Sequence, residues 1–222
     1  MYIFGKWYSV TVKKDPKDTW QKIWPILRAN YTRTKTYLDY KNPWELLIAV
    51  ILSAQTTDEG VNKVTKELFK TYPTAKKLAN APIADIANII RRVGYFNTKA
   101  NYIKQTSVMI VKEFGNKVPL DEEKLRTLPG VGRKTAMVVL SHVGTDKNVG
   151  IPVDTHVIRF AHRFGLSNAN NPDKIELDLQ NIIPKKDWKR AAYAIKDYGR
   201  KEGRARGYDQ AKDPLYNELL KK

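Results

Sequence analysis

The sequence predicts an all-α protein. Stretches typical of helices follow one another along most of the chain, and strand-like alternation is nearly absent. The breaks between these stretches are short and contain Gly, Pro or Asn, the residues that end helices and form turns. With 222 residues, 42% of them hydrophobic, the chain is long enough to bury a real core.

The first half of the chain divides into an arm and five helices. Residues 1–14 alternate loosely and fit either a short strand or an ordered arm. The next stretch is helical and can be capped by Asp15, Asp18 or Thr19. Pro43 fits the first position of a second helix, which is apolar enough to be buried. The expected helices cover Thr19–Asn30, Pro43–Ser53, Glu59–Thr71, Ile83–Arg92 and Thr98–Phe114.

The second half is built around a Pro-Gly-Val-Gly segment. A proline and two glycines at Pro129, Gly130 and Gly132 predict a tight hairpin, because glycine adopts positive φ and allows close backbone approach. A helix is expected on each side of the hairpin, and three more complete the fold. These helices are expected over Glu122–Leu125, Arg133–His142, Thr155–Phe164, Pro172–Ile182 and Lys186–Tyr198.

The charge balance indicates a polyanionic partner. The chain has 40 Lys+Arg against 23 Asp+Glu, a formal net charge of +17. Nucleic acid is the usual partner for such an excess, although solubility or anionic lipid would also explain it. No run approaches the length of a membrane span, and no signal peptide is visible. We therefore expect a monomeric cytoplasmic protein, nucleoid-associated in a prokaryote, with no membrane contact.

The absence of cysteine limits the chemistry. Without Cys there is no disulfide, no thiolate catalysis and no cysteine-ligated metal. The three histidines, His142, His156 and His162, lack the neighbouring ligands of a transition-metal site. We predict no metal bound by side chains and no organic cofactor.

The hairpin and the helix after it form the strongest candidate site. Backbone N–H groups at such a helix start bind anions, and in a basic chain the expected anion is a nucleic-acid phosphate. Lys134 lies in the first turn, and Asp154 follows twenty residues later. An amine and a carboxylate near a bound sugar-phosphate suggest covalent amine chemistry at a sugar carbon. The alternatives are a lysine that only binds phosphate and an aspartate that only caps a helix.

A nucleophilic lysine has to be neutral, whereas an ordinary lysine is protonated at neutral pH. Burial, the positive end of the helix and the neighbouring Arg133 would all favour the neutral amine of Lys134.

The hairpin segment, together with Glu45–Asp58 and Val93–Ala100, resembles the endonuclease III family of DNA glycosylases in order and spacing. The match runs from about Pro43 to Gly199. The resemblance implies two helical lobes with the active site in the groove between them. A six-helix lobe would span residues 42–150, with its helix-hairpin-helix at about 122–142, and residues 1–41 and 151–222 would form the second lobe.

The resemblance implies a bifunctional DNA glycosylase and AP lyase acting on double-stranded DNA. It would remove oxidised pyrimidines of the thymine glycol type and nick abasic sites by β-elimination. Lys134 would form the Schiff base, and Asp154 would support positive charge on the deoxyribose. A monofunctional glycosylase is one alternative, although that branch usually lacks the lysine and carries a Glu near the position of Val50. A non-catalytic DNA-binding module is the other, and it would need neither Lys134 nor Asp154.

Further positions take roles from the same resemblance. Gln55 would enter the gap left by the extruded nucleotide, or else bond to nearby backbone. Tyr95 stands where relatives place an intercalating wedge, often a leucine, or else packs on its own loop. Asp58 would line the lesion pocket or cap the helix near Glu59. The remaining DNA-binding residues implied are Gly130, Val131, Gly132, Arg133, Thr135, His156 and Arg200. His156 would orient Asp154, contact a phosphate or simply lie on the helix surface.

The C-terminal region departs from the family pattern. Many relatives carry a four-cysteine iron–sulfur cluster there, and Gly203 stands where the first ligand is expected. This chain cannot hold that cluster. Electrostatic DNA contacts or a solvated basic turn would take its place, formed by Arg200, Lys201, Arg204 and Arg206. The resemblance also implies a Na⁺ or K⁺ ion at the main chain of Arg126, Leu128 and Val131.

Overall fold

The computed structural model describes residues 15–144, 146, 149–204 and 207–221. Over these residues the prediction of an all-α protein is confirmed, with twelve α-helices, two 3-10 turns and no strand. The arm predicted at residues 1–14 lies outside the described residues. None of the described helices is both long and apolar enough to cross a membrane.

The chain forms two compact units. One comprises Thr36–Lys147, and the other combines Met1–Lys35 with Asn148–Lys222.

The unit Thr36–Lys147 is built around a buried helix, α2. Asn42 caps it by accepting the N–H of Glu45, and Pro43 occupies its first turn. Every residue from Trp44 to Leu52 is buried, so α2 packs against neighbours on all sides, as the sequence predicts. The helices of this unit are α2 (Pro43–Leu52), α3 (Asp58–Thr71), α4 (Ala75–Ala79), α5 (Ile83–Ile89), α6 (Phe96–Lys112), α7 (Glu122–Arg126) and α8 (Arg133–Val143).

The other unit encloses an aromatic core. Phe160 and Tyr198 are buried at its centre, with ring centroids 5.4 Å apart in an edge-to-face arrangement. Trp20, Leu27 and Leu215 pack into the same cluster. Its helices are α1 (Pro16–Asn30), α9 (Thr155–Arg163), α10 (Pro172–Ile182), α11 (Trp188–Lys201) and α12 (Pro214–Leu220), with 3-10 turns at Lys185–Asp187 and Gln210–Lys212.

Several helix ends differ from the prediction. The first helix begins at Pro16 because Asp15 is the cap and Pro16 takes the first position. The last predicted helix begins at Trp188 and continues to Lys201, since the residues before it form a 3-10 turn. The prediction missed α4 and α12, which have five and seven residues and are too short to show a clear apolar period.

The C-terminal helix α12 is held by a buried carboxylate. Asp213 is 1% exposed and accepts hydrogen bonds from the hydroxyls of Tyr198 and Tyr208, each at 2.5 Å. It also caps α12 by accepting the N–H of Leu215 at 2.9 Å. Burial, reinforced by the charge of Asp213, raises the pKa of Tyr198 well above its usual range. Both phenols therefore act as hydrogen-bond donors.

Gly203 is buried beneath this network. A Cβ at Gly203 would lie 2.6 Å from Cε1 of Tyr198 and 2.9 Å from a terminal nitrogen of Arg163. The guanidinium of Arg163 also lies over the ring of Tyr208, 3.5 Å from its centroid. Aromatic and charged side chains thus occupy the space around the position expected for the first cluster ligand.

Candidate functional site

The hairpin between α7 and α8 requires one of its two glycines for backbone reasons. Gly130 has φ of 77°, and a Cβ there would lie 2.8 Å from Cδ2 of Tyr102. Gly132 has φ of −87°, which any residue adopts, and a Cβ there would meet no protein atom within 4 Å. The positive φ expected for a glycine of this hairpin is therefore found at Gly130, while Gly132 leaves open space at the protein surface.

The hairpin is anchored from below. Thr106 on α6 is fully buried and donates its hydroxyl to the carbonyl of Pro129 at 3.0 Å. Leu128 and Val131 bury their side chains, and the N–H of Val131 donates to the carbonyl of Leu128 at 3.1 Å. Both residues thereby stabilise the turn itself. The DNA contact predicted for Val131 and the ion predicted at these carbonyls stay predictions.

The start of α8 is the place where the sequence predicts an anion site, and that role stays a prediction. Gly132 is the N-cap of α8 and has no side chain with which to cap it, whereas Asp121 caps α7. Arg133 is exposed and lies 3.6 Å from a carboxylate oxygen of Glu122, a surface pair of small energetic weight. Thr135, in the same first turn, is half-buried.

Lys134 lies in the first turn of α8 and is exposed. The expectation that burial would favour its neutral amine is therefore wrong for this structure. Lys134 lies next to Arg133 at the positive end of α8. Exposure leaves the amine accessible to a bound substrate.

Asp154 caps α9. One carboxylate oxygen accepts the N–H groups of His156 and Val157, at 2.8 and 3.0 Å. The helix-cap alternative is thus confirmed as a structural role. It is compatible with a chemical role, because the cap fixes the direction of a half-buried carboxylate.

The His156 ring is packed rather than displayed on the helix surface. It is half-buried, and its Nδ1 lies 3.1 Å from a terminal nitrogen of Arg159. A Cβ at Gly199 would come within 2.5 Å of this ring atom, so α11 approaches here only because it carries glycine. Desolvation lowers the pKa of His156, and the charge of Asp154 partly opposes this effect.

Gln55 and Tyr95 are both exposed and both left-handed. Their φ angles are 54° and 57°, an uncommon conformation that costs on the order of 1–3 kcal/mol for a non-glycine residue. Gln55 follows the end of α2 and does not lie inside the apolar run, so its amide is not buried. Tyr95 is 69% exposed and directly precedes α6. The two loops are neighbours, since a Cβ at Gly94 would lie 3.5 Å from the carbonyl oxygen of Gln55.

Lys99 is a residue of this region that the sequence reading missed. It is 5% exposed, and its ammonium donates to the carbonyls of Leu52, at 2.8 Å, and Ala54, and lies 3.2 Å from the hydroxyl of Thr56. Burial lowers the pKa of Lys99. A signal was present, because Lys99 precedes the buried Ile103 by one helical turn and so shares its face.

Asp58 and Arg200 complete the predicted residues. Asp58 is the first residue of α3, but the cap is Thr57, which accepts the N–H of Gly60 at 3.1 Å. The capping alternative for Asp58 is therefore wrong, and its lesion-pocket role stays a prediction. Arg200 is half-buried in the last turn of α11, and its carbonyl accepts a hydrogen bond from Arg204. Arg206 lies outside the described residues.

The described residues contain no cluster of three or more His, Cys, Asp or Glu side chains arranged to hold a metal ion.

Comparisons with known proteins agree on one family. Residues 48–185 match the model of the HhH-GPD superfamily base excision DNA repair proteins. The chain is 46% identical over 175 residues to endonuclease III of Synechocystis sp., covering 79% of this chain and 80% of that protein. A trapped covalent endonuclease III–DNA intermediate has a TM-score of 0.84 at 36% identity, covering 90% and 93% of the two chains. A non-covalent endonuclease III–DNA complex has a TM-score of 0.85 at 35% identity, covering 90% and 94%.

Proposed function

Since the chain belongs to the HhH-GPD superfamily of base excision DNA repair proteins, we propose that it is a bifunctional DNA glycosylase and AP lyase. The observation that carries the proposal is Lys134, exposed in the first turn of α8 directly after the hairpin. Relatives named endonuclease III, at 38% to 46% identity, support the same activity. The substrate is double-stranded DNA, and the protein acts as a monomer.

Binding begins with the phosphate backbone. The first N–H groups of α8 follow an N-cap glycine, which has no side chain, and they can donate to a phosphate. The open space at Gly132 lets that phosphate approach the backbone closely. The damaged nucleotide must then leave the base stack, because its sugar carbon is inaccessible inside a duplex.

The chemical step uses Lys134 as nucleophile. Its neutral amine attacks C1′, the bond from C1′ to the base breaks, and the base leaves with the bonding electrons and takes up a proton. Opening of the sugar ring gives a protonated Schiff base between Lys134 and C1′. Loss of a proton from C2′ then expels the 3′ phosphate and nicks the strand, and hydrolysis frees the lysine.

Asp154 supports this step electrostatically. Its carboxylate, held in place by the start of α9, stabilises positive charge on the deoxyribose.

We assign the lesion class to oxidised pyrimidines such as thymine glycol, together with abasic sites. Asp58 would face the extruded base, while Gln55 and Tyr95 would act at the gap that it leaves in the duplex. The site gives no support to the monofunctional alternative. That branch carries its Glu near the position that the buried Val50 occupies in this chain.

Borohydride trapping tests the proposal. The wild-type protein should form a covalent band on duplexes containing an abasic site or thymine glycol, and Lys134→Gln should form none. Lys124→Gln is the matched control, because Lys124 is exposed on α7 of the same helix-hairpin-helix. Tight binding by the wild type without a band on either duplex would reject lyase chemistry and favour a monofunctional glycosylase or a binding module.

A further inference from the structure

The loops that carry Gln55 and Tyr95 are both bonded to Lys99. Its ammonium donates to the carbonyls of Leu52 and Ala54, on either side of the turn that leads to Gln55. Its backbone N–H donates to the carbonyl of Tyr95 at 3.0 Å. The second bond is the ordinary first helical bond of α6, so Lys99 lies one helical turn after Tyr95 while its side chain reaches the turn before Gln55.

We propose that Lys99 is a positioning residue, which fixes Gln55 and Tyr95 as a paired probe that enters the DNA base stack. The inference rests on the proposed function, because Gln55 and Tyr95 can enter the base stack only if a nucleotide leaves it.

The first support is the cost of burying this amine. Lysine is almost never fully buried unless its charge is paired, and Lys99 faces only neutral oxygens among the partners described. Charge-assisted bonds to carbonyls are about twice as strong as neutral ones, so together they hold the loop firmly. The carbonyl of Leu52, at the end of α2, also gains a partner that the helix itself does not provide.

The second support is backbone strain. Gln55 and Tyr95 keep left-handed conformations that neither side chain favours, and both residues remain exposed. Such conformations persist where the surrounding structure imposes them and are concentrated at functional sites. The ammonium of Lys99 bonds to the chain just before Gln55, and Lys99 itself lies one helical turn after Tyr95 on α6.

The contact between the loops adds a third constraint. The position of a Cβ on Gly94 lies 3.5 Å from the carbonyl oxygen of Gln55, so the backbones pack closely. Loss of the Lys99 ammonium should release the Leu52–Thr56 turn while leaving α6 intact. The spacing of the two probes would then no longer be fixed.

A fluorescence experiment without bond breakage tests the role. The fluorescent reporter is a duplex with 2-aminopurine opposite a stable tetrahydrofuran abasic analogue. Its fluorescence at saturating protein reports unstacking of the 2-aminopurine. Wild type should raise the fluorescence. Lys99→Met should lose most of that increase and approach the level of the double variant Gln55→Gly/Tyr95→Gly, in which glycine keeps the left-handed backbone without side chains.

Lys104→Met is the matched control. Lys104 lies on the same helix and also bonds one backbone carbonyl, that of Ala81, at 2.5 Å, away from both probes. It should keep the wild-type signal. Adding Lys99→Met to the double variant should change little if Lys99 acts through the two probes, whereas a merely structural role would lower the signal further.

A wild-type signal from Lys99→Met, or no signal from the wild type itself, would overturn the proposal. If Lys99→Met does not fold, Lys99→Gln, which keeps an N–H donor on a shorter chain, is judged by the same criteria. Trapping at Lys134 without an effect at Lys99 would leave the proposed function and remove the positioning role. An effect of Lys99→Met on the fluorescence without trapping at Lys134 would reject the lyase chemistry and keep the positioning role.

Discussion

Substitutions at the two hairpin glycines should distinguish effects on stability from effects on DNA binding. Gly130→Ala would place a Cβ against Tyr102 at a positive φ, so we expect a loss of about 2–4 kcal/mol in the free energy of unfolding. Gly132→Ala meets no protein atom, and its stability should stay within about 1 kcal/mol of wild type. It should nevertheless weaken duplex binding, because its methyl group occupies the space proposed for phosphate. Denaturation and anisotropy titrations measure both effects, and equal behaviour of the two variants would contradict this division.

A substitution at Asp154 can distinguish the role of its side chain as a helix cap from the role of its charge. Asparagine caps helices as well as aspartate does, so Asp154→Asn should change the melting temperature little. It removes the carboxylate charge, and single-turnover cleavage of thymine glycol duplex should fall by roughly 10²-fold or more. Asp121→Asn, at the exposed cap of α7, is the control and should keep both properties. Undiminished cleavage by Asp154→Asn would leave Asp154 with a structural role alone.

At the scale of elements, α12 should depend on Asp213. Asp213→Ala removes the cap of α12 and leaves the hydroxyls of Tyr198 and Tyr208 without their acceptor. We expect a loss of about 2–5 kcal/mol in the free energy of unfolding. Asp209→Ala, which removes an exposed cap of the preceding 3-10 turn, should cost under about 1 kcal/mol. Chemical denaturation measures both free energies of unfolding. Similar losses in the two variants would contradict the role of the buried network.

The same network explains how this end of the chain is ordered without cysteine. Asp213 accepts from the hydroxyls of Tyr198 and Tyr208, while Arg163 donates to the Tyr198 hydroxyl and lies over the Tyr208 ring. Gly203, beneath them, has no room for a side chain. A single Gly203→Cys change would therefore disturb the packing rather than begin to build a cluster.

At the scale of the whole molecule, the net charge of +17 should govern affinity. A protein that neutralises six or more phosphates loses about 10³-fold or more in affinity between 50 and 200 mM salt. We expect a loss of this size for duplex DNA, measured by anisotropy. Arg133→Gln should reduce the slope by about one unit, whereas Gln55→Gly should leave it unchanged, because an amide releases no counterion. A complex insensitive to salt would contradict binding by phosphate neutralisation.

Local interactions explain what the sequence alone determined. The all-α fold, the Asp154 cap and the helix start at Arg133 depend on residues only a few positions apart, and all three follow from the sequence. The helix-hairpin-helix is equally local, since Gly130 needs only its own backbone conformation to form the turn.

Only the tertiary structure decided which of the remaining residues are exposed, buried or strained. Lys99 bonds carbonyls 45 and 47 positions earlier in the chain, and Thr106 anchors Pro129 from 23 positions away. The sequence suggested a buried Lys134 and an amide within an apolar run at Gln55, yet both are exposed. The physical reason is that burial and loop conformation depend on which distant segments pack together, and helical periodicity carries no record of those partners.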